Sequence, residues 1–224
     1  MDPAHLADLL AHLRPIVHES QAAAVSITQP TEYGTVYSLE EIRTISAIAK
    51  KHKLLFHMDG ARFGNAVANL GCTPAEMTWR SGVDILSFGA TKNGAMCAES
   101  IVYFESSVDT SAGEHAAAQI AGEYSTGADG PPDLRVQAPW SLTVDQAANR
   151  APIHRKRTGH LFSKMRFISA QLVGYLEGDV WQQYASNANI QAAALAQGLA
   201  ALPGFSLLYP TGTFSNQTFN ETLG

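Results

Sequence analysis

Short apolar runs alternate with amphipathic helical segments over the first hundred residues, and that alternation limits the chain to very few architectures. Ala22 to Thr28, Leu54 to Met58, Ile85 to Phe88 and Ser100 to Phe104 read as strands, being brief, apolar and bounded by turn residues. Helical patterns lie around them. Pro3 to Val17 carries leucines at 6, 9, 10 and 13, a spacing that gives one apolar face. Ser38-Leu-Glu-Glu41 is a capping box that opens a helix to about Lys51, with Ile42, Ile45, Ile48 and Ala49 inward. Phe63 to Leu70 predicts a short helix ended by Gly71, and Thr73-Pro-Ala-Glu76 repeats the capping logic with proline at the first helical position. Strand and helix in this order call for an α/β fold, a mostly parallel sheet flanked by helices.

The runs Leu54 to Met58 and Asp84 to Phe88 both end in polar groups, at what would be the carboxyl edge of the sheet, where open α/β sheets bind ligands. Past the first come Asp59 and Arg62; past the second come Thr91 and Lys92, then Asn93-Gly94. A lysine at the lip of a buried strand, with an aspartate and an arginine close by, suits pyridoxal 5'-phosphate (PLP) chemistry. The amine must bond an aldehyde, which favours a partly desolvated lysine. A carboxylate must keep the cofactor's ring nitrogen protonated, and Asp59 is the candidate. Arg62 supplies a planar cation for the phenolate oxygen or a substrate carboxylate. Taken singly, a lysine after a strand is more commonly solvated, and Asp-Gly more commonly a turn. The combination points to an enzyme.

Three stretches carry a more specific resemblance: Phe56-His-Met-Asp-Gly-Ala-Arg-Phe-Gly-Asn-Ala66, Gly71-Cys-Thr-Pro-Ala-Glu-Met-Thr-Trp79, and Gly82-Val-Asp-Ile-Leu-Ser-Phe-Gly-Ala-Thr-Lys-Asn-Gly94. Together with Ser26 to Tyr37 and His154 to Gln171, they resemble low-specificity L-threonine aldolase, a fold-type I PLP enzyme of the aminotransferase-like group that includes the β-eliminating lyases. The resemblance implies Lys92 as the Schiff-base lysine, Asp59 at the pyridine nitrogen, Arg62 near the phenolate oxygen or substrate carboxylate, and Thr91 beside the Schiff base. It also offers Arg166 as a phosphate contact acting across a dimer interface. The implied reaction is retro-aldol cleavage of L-threonine or L-allo-threonine to glycine and acetaldehyde, by a homodimer or homotetramer. Another PLP lyase or transferase of the same fold, or a non-catalytic remnant, are the alternatives.

Departures from the family pattern shape the expected organisation. The family's glycine-threonine phosphate loop and its ring-stacking aromatic residue belong to a segment ahead of the matched region, and no counterpart of either is found in these residues. The expected domain plan is therefore a partial PLP-binding large domain over 1–104, then an insertion over 105–152, loop-rich or disordered, with Asp129-Gly-Pro-Pro-Asp133 as a breaker. Residues 153–224 would hold two long helices, Ile153 to Leu176 and Trp181 to Leu202, and a partial C-terminal α+β domain beginning with the strand Phe205 to Tyr209. The substrate-clamping arginine expected further on is absent.

A net charge of −5 over 224 residues gives no global field that draws nucleic acid or an anionic membrane. Cys72 and Cys97 lack CxxC spacing, which argues against a disulfide framework or a zinc site and suits a reducing, cytoplasmic compartment. No apolar run approaches transmembrane length, and no signal peptide is expected at Met1-Asp-Pro-Ala-His. The base that would take the substrate's hydroxyl proton is not named by the sequence; His52 and His57 lie near, each more commonly structural.

Overall fold

The computed structural model describes residues 1–14, 16, 18–104, 143–209 and 219–221. Four strands form the main sheet in the order β1 (Ala24–Thr28), β2 (Leu55–Gly60), β3 (Ile85–Gly89) and β4 (Glu99–Tyr103). The first three are parallel, with Thr28 opposite Asp59 and Asp59 opposite Ser87, while β4 runs antiparallel to β3. The fold is α/β, as expected. Helices α1 (Pro3–Ala11), α2 (Leu39–Lys51), α3 (Phe63–Leu70) and α4 (Pro74–Met77) occupy the crossovers and the amino-terminal approach.

Local chemistry sets these elements. Asp2 caps α1 through Ala4 N–H, and both predicted capping boxes form, Ser38 with Glu41 and Thr73 with Glu76. Gly71 ends α3 in the left-handed conformation (φ 60°) that few side-chain-bearing residues adopt. α1 is shorter than its leucine spacing predicts, stopping at Ala11. The proline at position 15 disfavours helical backbone at the residue before it and could donate no N–H to a continuing helix.

The sheet packs on one face. Period-two alternation sends Phe56 and Met58, both fully buried, towards α2, where Ile42, Ile45 and Ala49 are equally buried. Phe88 and Phe63 meet edge-on at 5.7 Å between centroids, and Trp181 stacks on Phe63 at 6.4 Å. Along the opposite face run Ser26, His57, Asp59, Ser87 and Ile101, and there Ser26 and Ile101 are exposed. Asp84 ties the starts of β2 and β3 together, its Oδ2 accepting from Phe56 N–H at 2.8 Å.

After residue 142 the structure departs from expectation. α5 (Val144–Arg157) opens with a capping box, Thr143 with Gln146, inside the predicted insertion, and runs through Pro152. The rest of that insertion, 105–142, lies outside the described residues. The single helix expected over Ile153 to Leu176 is two, α5 and α6 (Arg166–Leu176), because Gly159 takes φ 78° and lets His160 N–H donate to Arg155 C=O, closing the helix end. α7 (Val180–Ala200) follows and packs on α3; then β5 (Phe205–Leu207) pairs antiparallel with β6 (Phe219–Glu221). Leu208 and Tyr209, expected in β5, lie beyond its end.

The two faces should respond differently to truncation. Ile45→Ala removes a fully buried side chain and should cost about 2–5 kcal/mol in urea unfolding. Ile101→Ala, at 60% exposure on the other face, should cost about 0.5 kcal/mol or less. Comparable losses at the two positions would show that the face bearing Ile101 is also a core.

Candidate active site

Asp59 is the next-to-last residue of β2, and Lys92 lies in a short 3-10 turn (Thr91–Asn93) just beyond β3. Since β2 and β3 are adjacent and parallel, both residues stand at the same edge of the sheet. A close backbone approach joins the two ends. A Cβ built on Gly89 would meet Ala61 Cα at 2.8 Å and Ala61 O at 3.0 Å, so only glycine lets the chain after Asp59 press against the chain leading to Lys92.

Each chain end is held by its own hydrogen bonds. Asp59 is half-buried; its Oδ1 accepts from Ala61 N–H at 3.0 Å, and its carbonyl accepts from Gln29 N–H at 2.8 Å. Around Lys92, Thr91 Oγ1 accepts from Ala98 N–H at 3.1 Å and donates back to Ala98 C=O, closing the loop over residues 91–98. Asn93 is buried, and its Nδ2 donates to Tyr175 Oη at 2.6 Å and to Trp181 C=O at 2.8 Å. Burial raises the Tyr175 phenol above its ordinary range, which keeps it neutral, although the bond from Asn93 opposes the shift. Gly94 (φ 112°) then turns the chain under the Tyr184 ring. Lys92 and Thr91 are exposed, so the partial desolvation expected of the lysine is not provided by the described residues.

Arg62 follows on the loop into α3, where it is the residue before the first helical turn. Arg166 opens α6, exposed, with its guanidinium 5.0 Å from the ring of its neighbour Phe167. It is not among the groups at the ends of β2 and β3, although α6 itself reaches the loop after Lys92, where Gln171 Oε1 accepts from both Met96 and Cys97 N–H at 3.0 Å. A shallow depression lined by Arg43, Lys50, Trp79 and Arg80 lies at the amino end of β3, away from this edge.

His57 shares a face with Asp59 and is tied on both sides: Nδ1 to Ser26 Oγ at 2.7 Å and Nε2 to Ser87 Oγ at 2.9 Å. The three residues stitch β1, β2 and β3 together two positions below Asp59. His52, by contrast, caps the carboxyl end of α2, ahead of β2. The sequence reading missed Asn93, Gln29 and the serine bridges. The Asn-Gly pair reads as a turn, and partners 82 and 88 residues away leave no local signal.

Burial lowers the His57 pKa, with Asp59 opposing as the smaller influence. A neutral ring donates to one serine and accepts from the other. Because the folded value is depressed, the stabilising contribution is present above about pH 6.5 and is lost as pH falls through the lower folded value, where the unfolded chain has already bound the proton. Urea unfolding at about pH 7.5 and about pH 5.5 should therefore show a larger loss in the parent than in His57→Gln. Equal losses would mean that His57 contributes nothing to the acid limb.

The sequence profile of the beta-eliminating lyases matches residues 1–220. A low-specificity L-threonine aldolase of Pseudomonas aeruginosa is 39% identical over 210 residues, which cover 94% of this chain and 49% of that protein. A protein of the same description from a Pseudomonas species, strain NCIMB 10558, is 39% identical over 197 residues, 88% of this chain and 46% of its own length. In fold, the chain is similar to a threonine aldolase of Leishmania major, with a TM-score of 0.70 at 21% identity over 95% of this chain and 50% of that one. The chain spans about half the length of the curated relatives it matches.

Proposed function

The chain belongs to the beta-eliminating lyase family, and from that premise we propose that it serves a PLP-dependent aldehyde-lyase, cleaving the Cα–Cβ bond of L-threonine or L-allo-threonine to give glycine and acetaldehyde. The observation that carries this reading is the close approach of Gly89 to Ala61, which brings the strand ends bearing Asp59 and Lys92 together at one edge of the sheet. An acid and an amine carried at the ends of neighbouring strands are what the ring nitrogen and the aldehyde of PLP need, so the residues at this edge fit that part of the cofactor, while no counterpart of the family's phosphate loop lies among the described residues.

When bound, PLP supplies an electron sink for the pair released as the Cα–Cβ bond breaks. Lys92 would hold it through its amine. Asp59 would keep a proton on the ring nitrogen, its carboxylate oriented by the N–H of Ala61. Arg62 would set a planar cation near the phenolate oxygen or the substrate carboxylate. Thr91, whose hydroxyl closes the loop on Ala98, would fix the turn that presents the amine. Arg166 would contact the phosphate from a neighbouring subunit. His57 is a poor candidate for the base that takes the hydroxyl proton, since both its ring nitrogens are engaged.

Assembly as a homodimer or homotetramer accords with the exposed apolar side chains of α6 and α7, among them Phe167, Val173, Ile190 and Leu195. The free cysteines accord with a cytoplasmic setting. The partner is a small amino acid; nucleic acid and membrane have no part in this reading, and no described helix is long and apolar enough to cross a bilayer.

Titration of the full chain with PLP should produce a visible absorbance band that Lys92→Ala abolishes. Asp59→Ala should keep a band but lower glycine release from threonine by about two orders of magnitude or more. A band that survives Lys92→Ala unchanged removes Lys92 from the site. Elimination from serine outpacing glycine release from threonine would favour another lyase of the same fold.

A further inference from the structure

We propose that Gln29 is a positioning residue for Asp59, its buried side chain locking the end of β1 so that its backbone N–H holds the peptide carbonyl of Asp59 in place. The proposal rests on Asp59 serving the cofactor, as argued above.

Gln29 follows the last residue of β1 and is fully buried. A buried primary amide has to place its donors and acceptor with partners. Here Oε1 accepts from Tyr37 N–H at 2.9 Å and Nε2 donates to Tyr37 C=O at 2.9 Å, with Met77 Sδ at 3.6 Å as a weaker third partner. The side chain thus pairs with a backbone residue at two points, as a strand residue would. This bridge closes the loop between β1 and α2, which Thr31 and Thr35 staple further out through their hydroxyls at 2.6 Å.

The backbone of the same residue performs the other half of the function. Gln29 N–H donates to Asp59 C=O at 2.8 Å, one step beyond the last β1–β2 pair, Thr28 with Asp59. Asp59 is therefore gripped at its carbonyl from β1 and at its carboxylate from Ala61. No described contact joins the Gln29 side chain to Asp59 or Lys92, so its influence runs through the backbone.

Gln29→Glu separates positioning from bulk. When protonated, the introduced carboxyl group offers Tyr37 the same acceptor and donor as the amide; when ionised, it turns a second lone pair on the Tyr37 carbonyl. Burial raises the pKa of such a group and brings the change into an accessible range. Relative to the parent at the same pH, PLP affinity of the full chain should be about tenfold weaker at about pH 9 and within about threefold at about pH 6. Gln29→Met, which keeps the volume and the backbone N–H but loses both side-chain bonds, should weaken PLP about tenfold at both values. The proposal is overturned if either folded variant binds PLP as the parent does at about pH 9, or if the Gln29→Glu deficit does not recover on acidification. Persistence of the parent's absorbance band in Lys92→Ala would instead defeat the underlying reading of the site.

Discussion

The pleat of β2 is the constraint on which everything else in this molecule depends. Consecutive side chains along a strand point to opposite faces, so Phe56 and Met58 enter the core while His57 and Asp59 stand on the other side. The core half of the pattern is well supplied, with Ile42, Ile45 and Ala49 of α2 fully buried against it. The polar half is held by hydrogen bonds to neighbouring strands. Burial fixes where the strand sits, and that position determines where the carboxylate emerges.

For the proposed chemistry, two residues of the right type at strand ends are not enough; they must also be fixed. Lys92 has an exposed side chain on a single 3-10 turn, a location that would ordinarily be loose. Its neighbours supply the rigidity. Asn93 is anchored into the packing between α6 and α7, and Thr91 closes on Ala98. The lysine is thus carried on a rigid mount with only its own side chain free. Asp59 is treated the same way, by Gln29 and Ala61.

Much of this was legible in the sequence, and the part that was not has a common cause. Capping boxes at Ser38 and Thr73 and the stop at Gly71 are encoded within four residues, and the structure reproduces them. The four strands of the main sheet and β5 are found to within two residues because apolar runs between turn signals need no knowledge of partners, whereas β6 lies in a polar stretch that reads as no strand. Asp59, Arg62 and Lys92 are readable as candidates because they follow those runs closely, whereas Thr91 and Arg166 are offered only by the family resemblance. Asn93 and Gln29 are not readable in either way, since their meaning lies in Tyr175, Trp181 and Tyr37. The helix expected to run from Ile153 to Leu176 failed for a local reason: Gly159 takes a left-handed conformation inside a composition that otherwise favours helix.

A strand that divides its side chains between oil and chemistry has no spare length. Adding or deleting a single residue between Phe56 and Asp59 would invert every assignment beyond the change, turning the acid inward among hydrocarbon and the methionine outward to water. A residue added in a connection outside the strand leaves this alternation untouched, so the count from Phe56 to Asp59 is the stricter constraint on the chain.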